Sequence, residues 1–313
     1  MMPATLPVSS ESTSTRGTGR PGPSSTSGSA SPERGRPTSI RASTWVGSSL
    51  QFLQAASEQG RPFALLFTPN APRLPATPAT EDRSLYSNLP AYRPPSFNEA
   101  DVSDKPFWLR FHLPLTPFEV WQVDRDRRNQ LRCVASLDRA VESLVLDLER
   151  RGLLDSTVVL YLSDNSVFWG EHRLVNKAKV YEEAVRIPFA VRFPPLATVP
   201  RVETGLVAII DIAPTMYDLA GIPIPSDVSG RSLVPLLTSS GPWREDLMLE
   251  GWTGPSFSAV RTGTRVYVEN RVDLPELYDL TADPYQLRNQ VFNRSYATEI
   301  AALQTRLRAL RGE

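Results

Sequence analysis

Histidine is almost missing from this 313-residue chain, which has only His112 and His172. That leaves too few ligands for a zinc site built from a His/Cys cluster. A Ser/His/Asp hydrolase would have to take its base from this pair. Cysteine is scarcer still: Cys133 stands alone, so no internal disulfide can form, and the redox compartment is left open. Neither sign of charge dominates. Lys+Arg and Asp+Glu both number 34, a balance that offers no basic surface for nucleic acid or an anionic membrane. No apolar run approaches the ~20 residues of a membrane span. The opening "MMPATLPVSSESTSTRG" lacks the apolar core of a secretory signal, which makes the cytoplasm the default expectation. Acidic residues are rare through residues 1–43, where only Glu11 and Glu33 occur among Ser, Thr, Pro, Gly and Arg. Such a segment cannot bury enough apolar surface to fold and is expected to be a disordered tail. Its composition also suits a transit peptide, but it has no amphipathic helix.

What is present is an ordinary globular composition, 41% hydrophobic and 22% charged, expected to begin folding near Thr44. "SSLQFLQAASEQ" (48–59) reads as a short helix stopped by Gly60-Arg61-Pro62. "FALLF" (63–67) reads as a buried strand, followed by a proline-rich stretch with little periodicity over 69–106. Leu131, Val134, Leu137, Val141, Leu144, Val145 and Leu148 recur at spacings of three and four, which predicts a helix over 124–151 capped by Gly152. The β-branched run 158–162 predicts a strand, and a second is expected around Phe189–Val191. Asp211 precedes Ala213-Pro214-Thr215, a proline near a helix start, and Gly221 closes that helix. Short strands with turns come next in "DLMLEGW", "FSAVRTG", "TRVYVEN" and "ELYDLTADPYQLRNQ", and an amphipathic helix ends the chain over 297–310. The alternation of helix and strand predicts a mostly parallel α/β sheet with a small antiparallel α+β subdomain behind it. The expected division is a tail at 1–43, an α/β domain at 44–240 and the subdomain at 241–313.

Polar groups concentrate in "SDNSVFWGEH" (163–172), where the strand 158–162 ends. Ligands gather beyond the carboxyl ends of strands in open α/β sheets. Asp164 and Asn165 are hard oxygen donors suited to Ca²⁺ or Mg²⁺, yet two donors do not fill a shell of 6–8 oxygens. An Asp/Asn turn capping the next segment is the alternative.

The longer stretch "LDSTVVLYLSDNSVFWGEHRLVNKAKVYEEAVRIPFAVRFP" (154–194) resembles the sulfatase family of the alkaline-phosphatase-like superfamily. "PFALLFTPNAPRLP", "PSFNEADVSDKPFWLR", "IIDIAPTMYDLAGI", "GRSLVPLL" and "ELYDLTADPYQLRN" resemble further segments of that family, in the same order. The resemblance implies a partial alkaline-phosphatase-like sandwich and hydrolysis of sulfuric esters, with a sulfated small molecule or glycan as partner. It places Asp164 and Asn165 at two of the calcium ligands and Lys177 at the lysine that contacts the sulfate. The spacing after His172 is one residue short of the family's, which makes Lys179 a rival. It makes His172 and Lys177 the catalytic candidates, with a loop-structuring hydrogen bond as the competing reading of His172. Arg73 stands at the histidine of the family's Ala-Pro-His, as a substrate-binding position. A lysine beside a hard cation suits charge developing on the non-bridging sulfate oxygens.

The family's nucleophile is a Cys or Ser in Cys/Ser-x-Pro-x-Arg, oxidised to formylglycine. Cys133 lies in "CVASL", and "ASPER" (30–34) has Ala30 at the nucleophile position. No nucleophile and no formylglycine are therefore expected. The strand carrying the family's paired aspartates has no counterpart, so Ca²⁺ binding is expected to be weak or absent. The resulting expectation is a sulfatase-family chain that does not turn over alone. The alternatives are a non-catalytic interaction protein or a truncated gene product; a two-metal phosphatase would need more histidines. Losing neighbours should also leave the strand 158–162 at an uncovered sheet edge, an invitation to self-association.

Overall fold

The computed structural model describes residues 38–238, 242–252, 254 and 256–313, with side chains from Trp45 onward. The first helix, α1 (Thr38–Gln59), begins ahead of the expected Thr44. The rest of the expected disordered tail lies outside the described residues. The short α2 (Phe107–Arg110) precedes a long helix, α3 (Pro117–Arg150). Strand β1 (Val159–Leu162), hairpin strands β2 (Phe168–Trp169) and β3 (Val175–Asn176), the single-turn α4 (Glu182–Val185) and β4 (Phe189–Arg192) come after it. Next are α5 (Ile212–Leu219) and α6 (Val234–Leu237). The chain then forms β5 (Asp246–Gly251), β6 (Phe257–Thr262), β7 (Arg265–Asn270) and β8 (Glu276–Asp279), and closes with α7 (Ala297–Arg311).

The chain divides into two compact units. One comprises Ala91–Val123 and Ser156–Glu313, the other residues 38–90 and Asp124–Asp155. In the second, α1 lays Leu53 against Leu144 and Leu148 of α3, and Phe63 and Phe67 join this cluster. This corrects the expected strand at 63–67. Its two phenylalanines, four residues apart, pack onto helices, Leu66 is 87% exposed, and no described strand pairs with it. An apolar run without a ladder partner cannot satisfy its backbone as a strand.

Helix α3 starts well before the expected residue 124. The backbone N–H of Thr116 donates to Glu119 Oε2 at 2.7 Å, and the Glu119 N–H donates back to Thr116 Oγ1 at 3.3 Å. This is a capping box with Pro117 in the first helical position. At the other end Gly152, at φ +68°, lets the Leu153 N–H reach Leu148 O at 2.9 Å and close the helix.

In the first unit, β5–β8 form a four-stranded antiparallel meander. Its two faces alternate along each strand. Val260, Tyr267 and Leu277 meet Leu303 and Leu307 of α7, while Ala259, Val266 and Val268 meet Val180 and Val185. Full burial of each such side chain contributes about 1.5–3 kcal/mol. Because Val180 and Val185 share this core, the compact units do not part near residue 240, where the subdomain boundary was expected. The mostly parallel sheet is corrected as well. β1 pairs with β4 in antiparallel register, from Val159↔Arg192 to Leu162↔Phe189, and every sheet of the described residues is antiparallel. The segment between β1 and β4 holds a small hairpin and a one-turn helix, which reverse the chain; a parallel return needs a full crossover.

Candidate active site

β1 ends at the loop 163–166. Ser163 Oγ donates to the Asn165 carbonyl at 2.8 Å, the Asn165 N–H donates to Asp164 Oδ1 at 3.0 Å, and the Ser166 N–H donates to Ala184 O at 3.1 Å. Asp164 is exposed and Asn165 partly so. Lys177 Nζ donates to Asn165 Oδ1 at 2.5 Å. The structure thus brings together Asn165 and Lys177, with Asp164 beside them, across a loop of a dozen residues. The rival Lys179 goes elsewhere: its ammonium sits 4.5 Å from the centroid of the Trp108 ring. Arg73 belongs to the other compact unit.

These donors do not make a calcium site as they stand. Ca²⁺ takes 6–8 oxygens. Here one of the two donor side chains already accepts from an ammonium, and no group of three His, Cys, Asp or Glu among the described residues is arranged to hold a metal.

His172 has a different setting. The segment 170–172 lies against 96–98: the Asn98 N–H donates to Gly170 O at 2.8 Å, and the His172 N–H donates to Ser96 O at 2.7 Å. Gly170 is required there, because its φ is +100° and a Cβ would sit 2.6 Å from Phe97 Cε2. The chain then turns through left-handed backbone at His172 (φ 51°) and Arg173 (φ 62°). Non-glycine residues hold such angles only where their surroundings fix them. Arg173 supplies part of that restraint by donating to the carbonyls of Glu99 (2.8 Å), Ala100 (2.7 Å) and His112 (3.0 Å).

The His172 ring is 0% exposed. It stacks on Tyr181 with centroids 4.3 Å apart. Nδ1–H donates to Glu99 Oε2 at 2.7 Å, and Nε2 faces Glu183 Oε2 at 3.6 Å, an ion-pair distance rather than a hydrogen bond. Burial works against the charged imidazole, but Glu183 and Glu99 outweigh it and raise its pKa to about 9. His172 is therefore a cation at neutral pH, held between two carboxylates.

The network continues from Glu99. Lys105, fully buried, lies 3.4 Å from Glu99 Oε1 and donates to the carbonyls of Gln286 (2.9 Å) and Leu287 (2.7 Å). Tyr181 and Tyr278 donate to the buried Glu276 Oε2 at 2.8 and 2.6 Å, and Asn270 donates to Glu276 Oε1 at 2.9 Å. Burial, opposed by these donors, leaves the Glu276 carboxyl pKa above its usual value. Sequence reading missed Glu99, Lys105, Glu183 and Glu276 as members of one cluster. They are far apart in the chain, and no local pattern links them.

A further feature escaped the sequence reading. Ser240-Gly241-Pro242-Trp243-Arg244 has the Ser-x-Pro-x-Arg spacing. Ser240 and Gly241 lie outside the described residues. Arg244 forms a bidentate pair with buried Asp211, at 2.5 and 2.7 Å, and Trp243 Nε1 donates to Leu206 O at 2.6 Å. Asp211 also accepts from the N–H groups of Ala208 and Arg231, both at 2.8 Å. Arg244 and Trp243 are thus committed to tying 206–211 to the chain just ahead of β5. Cys133 is buried in α3.

The Sulfatase family model matches residues 45–222, more than half of the chain, and the model for the C-terminal part of N-sulphoglucosamine sulphohydrolase matches 170–313. The chain belongs to the sulfatase family. It is 32% identical to an N-acetylglucosamine-6-O-sulfatase of Bacteroides thetaiotaomicron over 56% of this chain and 34% of that protein. It is 31% identical to the extracellular sulfatase SULF-1 homolog of Drosophila melanogaster over 71% of this chain and 20% of that protein. The chain thus spans about a third or less of these curated relatives' lengths. Among solved structures, one in complex with its substrate D-glucosamine-2-N,6-O-disulfate superposes with a TM-score of 0.79, at 22% identity, over 87% of this chain and 69% of that one. The fold is accordingly the alkaline-phosphatase-like α/β fold, with antiparallel sheets in its C-terminal region. No helix among the described residues is long and apolar enough to cross a membrane.

Proposed function

We propose that this chain carries the sulfate-facing part of a sulfuric ester hydrolase site, with Lys177 as the group that meets the sulfate. The observation that carries this reading is the Lys177–Asn165 contact at the end of β1, in a chain of the sulfatase family. An ammonium placed there would offset charge on the non-bridging oxygens as the ester bond breaks. Asn165 holds the lysine in place, and Asp164 beside it presents a hard oxygen, but no step is assigned to a metal. His172, proposed from the resemblance as catalytic, is better read as a positioning residue, since its ring is fully buried between Glu99 and Glu183. A sulfated amino sugar is the proposed substrate class, on the strength of the glucosamine-sulfate relatives. The extracellular relative leaves the cytoplasmic default without support.

The chain on its own is proposed not to turn over. Cys133 is buried within a helix, and Arg244 of the Ser-x-Pro-x-Arg match is tied to Asp211. Losing a covalent nucleophile typically costs orders of magnitude in rate. The test is hydrolysis of an aryl sulfate and of D-glucosamine-6-O-sulfate by the purified chain, with calcium added. No release of sulfate above background is expected. Turnover that survives Cys133→Ala but disappears in Ser240→Ala would overturn the inactivity and assign the nucleophile to Ser240.

A second reading, association between copies, is favoured by the two-stranded β1–β4 sheet. Each strand keeps an edge that no described strand pairs, and Tyr161 is 43% exposed on β1. Sedimentation would show concentration-dependent growth; a compact monomer at every concentration would dismiss it.

A further inference from the structure

Basic residues in this chain are overwhelmingly arginine: 31 of the 34, with lysine only at 105, 177 and 179. Lysine offers a compact, rotatable point charge where arginine offers a flat fork. Two of the three are accounted for. Lys105 is buried against Glu99 and backbone carbonyls, and Lys177 donates to Asn165. Lys179 has neither a carboxylate nor a hydrogen-bond acceptor among the described residues. It rests on the face of Trp108, 4.5 Å from the ring centroid. The same indole meets the ring of His112 edge-on at 6.1 Å. Burial holds the Lys179 pKa below its usual value, and burial and then Lys179 itself hold that of His112 down, so this imidazole is neutral at pH 7 and can share a proton with a ligand. A half-buried ammonium over an indole face has lost water without gaining a counter-charge.

Two further details bear on the space around this ammonium. Ala178, between the two lysines, takes a left-handed φ of 71°, which sends their side chains to different partners. Chain geometry keeps the Lys177 and Lys179 Cα atoms within about 7 Å. Gly254 stands next to Lys179, and a Cβ built there would sit 2.8 Å from Nζ, so the absence of a side chain keeps the ammonium uncrowded.

We propose that Lys179, seated on Trp108 beside His112, is a second oxyanion position next to Lys177, so that the site takes a sugar carrying two anionic groups, one on each lysine. The inference rests on the reading of Lys177 as the sulfate-facing lysine and adds to it a preference for doubly charged over singly charged sugars. The counter-ion that Lys179 lacks among the described residues would come from the substrate, through a charge-assisted hydrogen bond.

Three lysines make the test direct. The full chain labelled with ¹³C at lysine Cε gives three signals, with those of 177 and 179 assigned through Lys177→Arg and Lys179→Arg. Titration with D-glucosamine-2-N,6-O-disulfate should move both signals with one common affinity and leave Lys105 unmoved. D-glucosamine-6-O-sulfate should move Lys177 alone. Lys179→Met should weaken the disulfate about tenfold, the lower end for a hydrogen bond to a charged group, and the monosulfate by less than about twofold. If Lys177 moves and Lys179 does not, the second position is wrong and the reading of Lys177 stands. If neither moves, both fall. If Lys179 responds to inorganic sulfate as strongly as to the disulfate, it is a general anion contact and the substrate preference is refuted.

Discussion

Gly170–Leu174 and the Asp164–Asn165–Lys177 corner stand side by side in the sequence and are built in opposite ways. The first is buried and over-determined: two backbone hydrogen bonds to 96–98, three guanidinium bonds from Arg173, and an imidazolium clasped by two carboxylates. The second is only partly buried and sparsely tied, with one lysine reaching one amide oxygen. Buried charges are costly to strip of one partner, whereas exposed ones are nearly free to change. The difference separates a scaffold from a surface that can still meet a ligand. It also places the more reactive-looking residue, a histidine, on the scaffold side.

The largest effect should come from breaking the buried cluster. Glu99→Ala or Lys105→Ala leaves an uncompensated charge and is expected to cost about 3–5 kcal/mol, read from urea unfolding. A loss below about 1 kcal/mol would erase the contrast between the two regions. The next largest effect is with pH. The folded pKa of His172 is raised from 6.5 to about 9, so its contribution is complete below about pH 6.5 and is lost as the pH rises through 9. At ~1.4 kcal/mol per unit this amounts to about 3 kcal/mol. Unfolding free energies measured from pH 6 to 9.5 should fall in the native chain and stay flatter in His172→Gln.

Thr116→Ala removes the capping hydroxyl of α3 and should cost about 1 kcal/mol, measured in the same way. At the small end, Lys177→Ala should change stability by no more than about 0.5 kcal/mol while abolishing the response to sulfated sugar. Calcium sharpens the same side of the comparison. Calorimetry should find no site tighter than about millimolar, the weak end of protein calcium sites. A micromolar site lost in Asp164→Ala would mean that other carboxylates complete a cage.

Parts of this were legible in the amino-acid order because the forces that set them are local. The strands β5–β8 carry β-branched residues between turns, and the C-terminal half of α3 repeats apolar residues at helical spacing. The start of α3 was also local but was passed over: Thr116-Pro117-Phe118-Glu119 is a capping signal, masked by the weaker periodicity of the turns after it. The strand expected at 63–67 failed because apolar length alone does not choose between a ladder and a helix-packing segment. The parallel sheet failed because strand direction is set by the return path from β1 to β4. Asp164, Asn165 and Lys177 could be named from the family pattern, and the contact between Asn165 and Lys177 needed the fold. The clasp around His172 was out of reach, since Glu99 reaches the ring from a distant segment, and Lys105 and Glu276 join the cluster only through Glu99 and Tyr181.

The claim that His172 is a structural cation rather than a catalytic group can be tested most directly through its own resonance. The chain has two histidines, so their imidazole signals can be followed individually with pH, with and without D-glucosamine-6-O-sulfate. The account predicts that His172 stays protonated past neutrality, with a midpoint near 9 that the sugar does not move, while His112 titrates below 6.5. A His172 midpoint at or below 6.5, or one that shifts when the sugar binds, would contradict it.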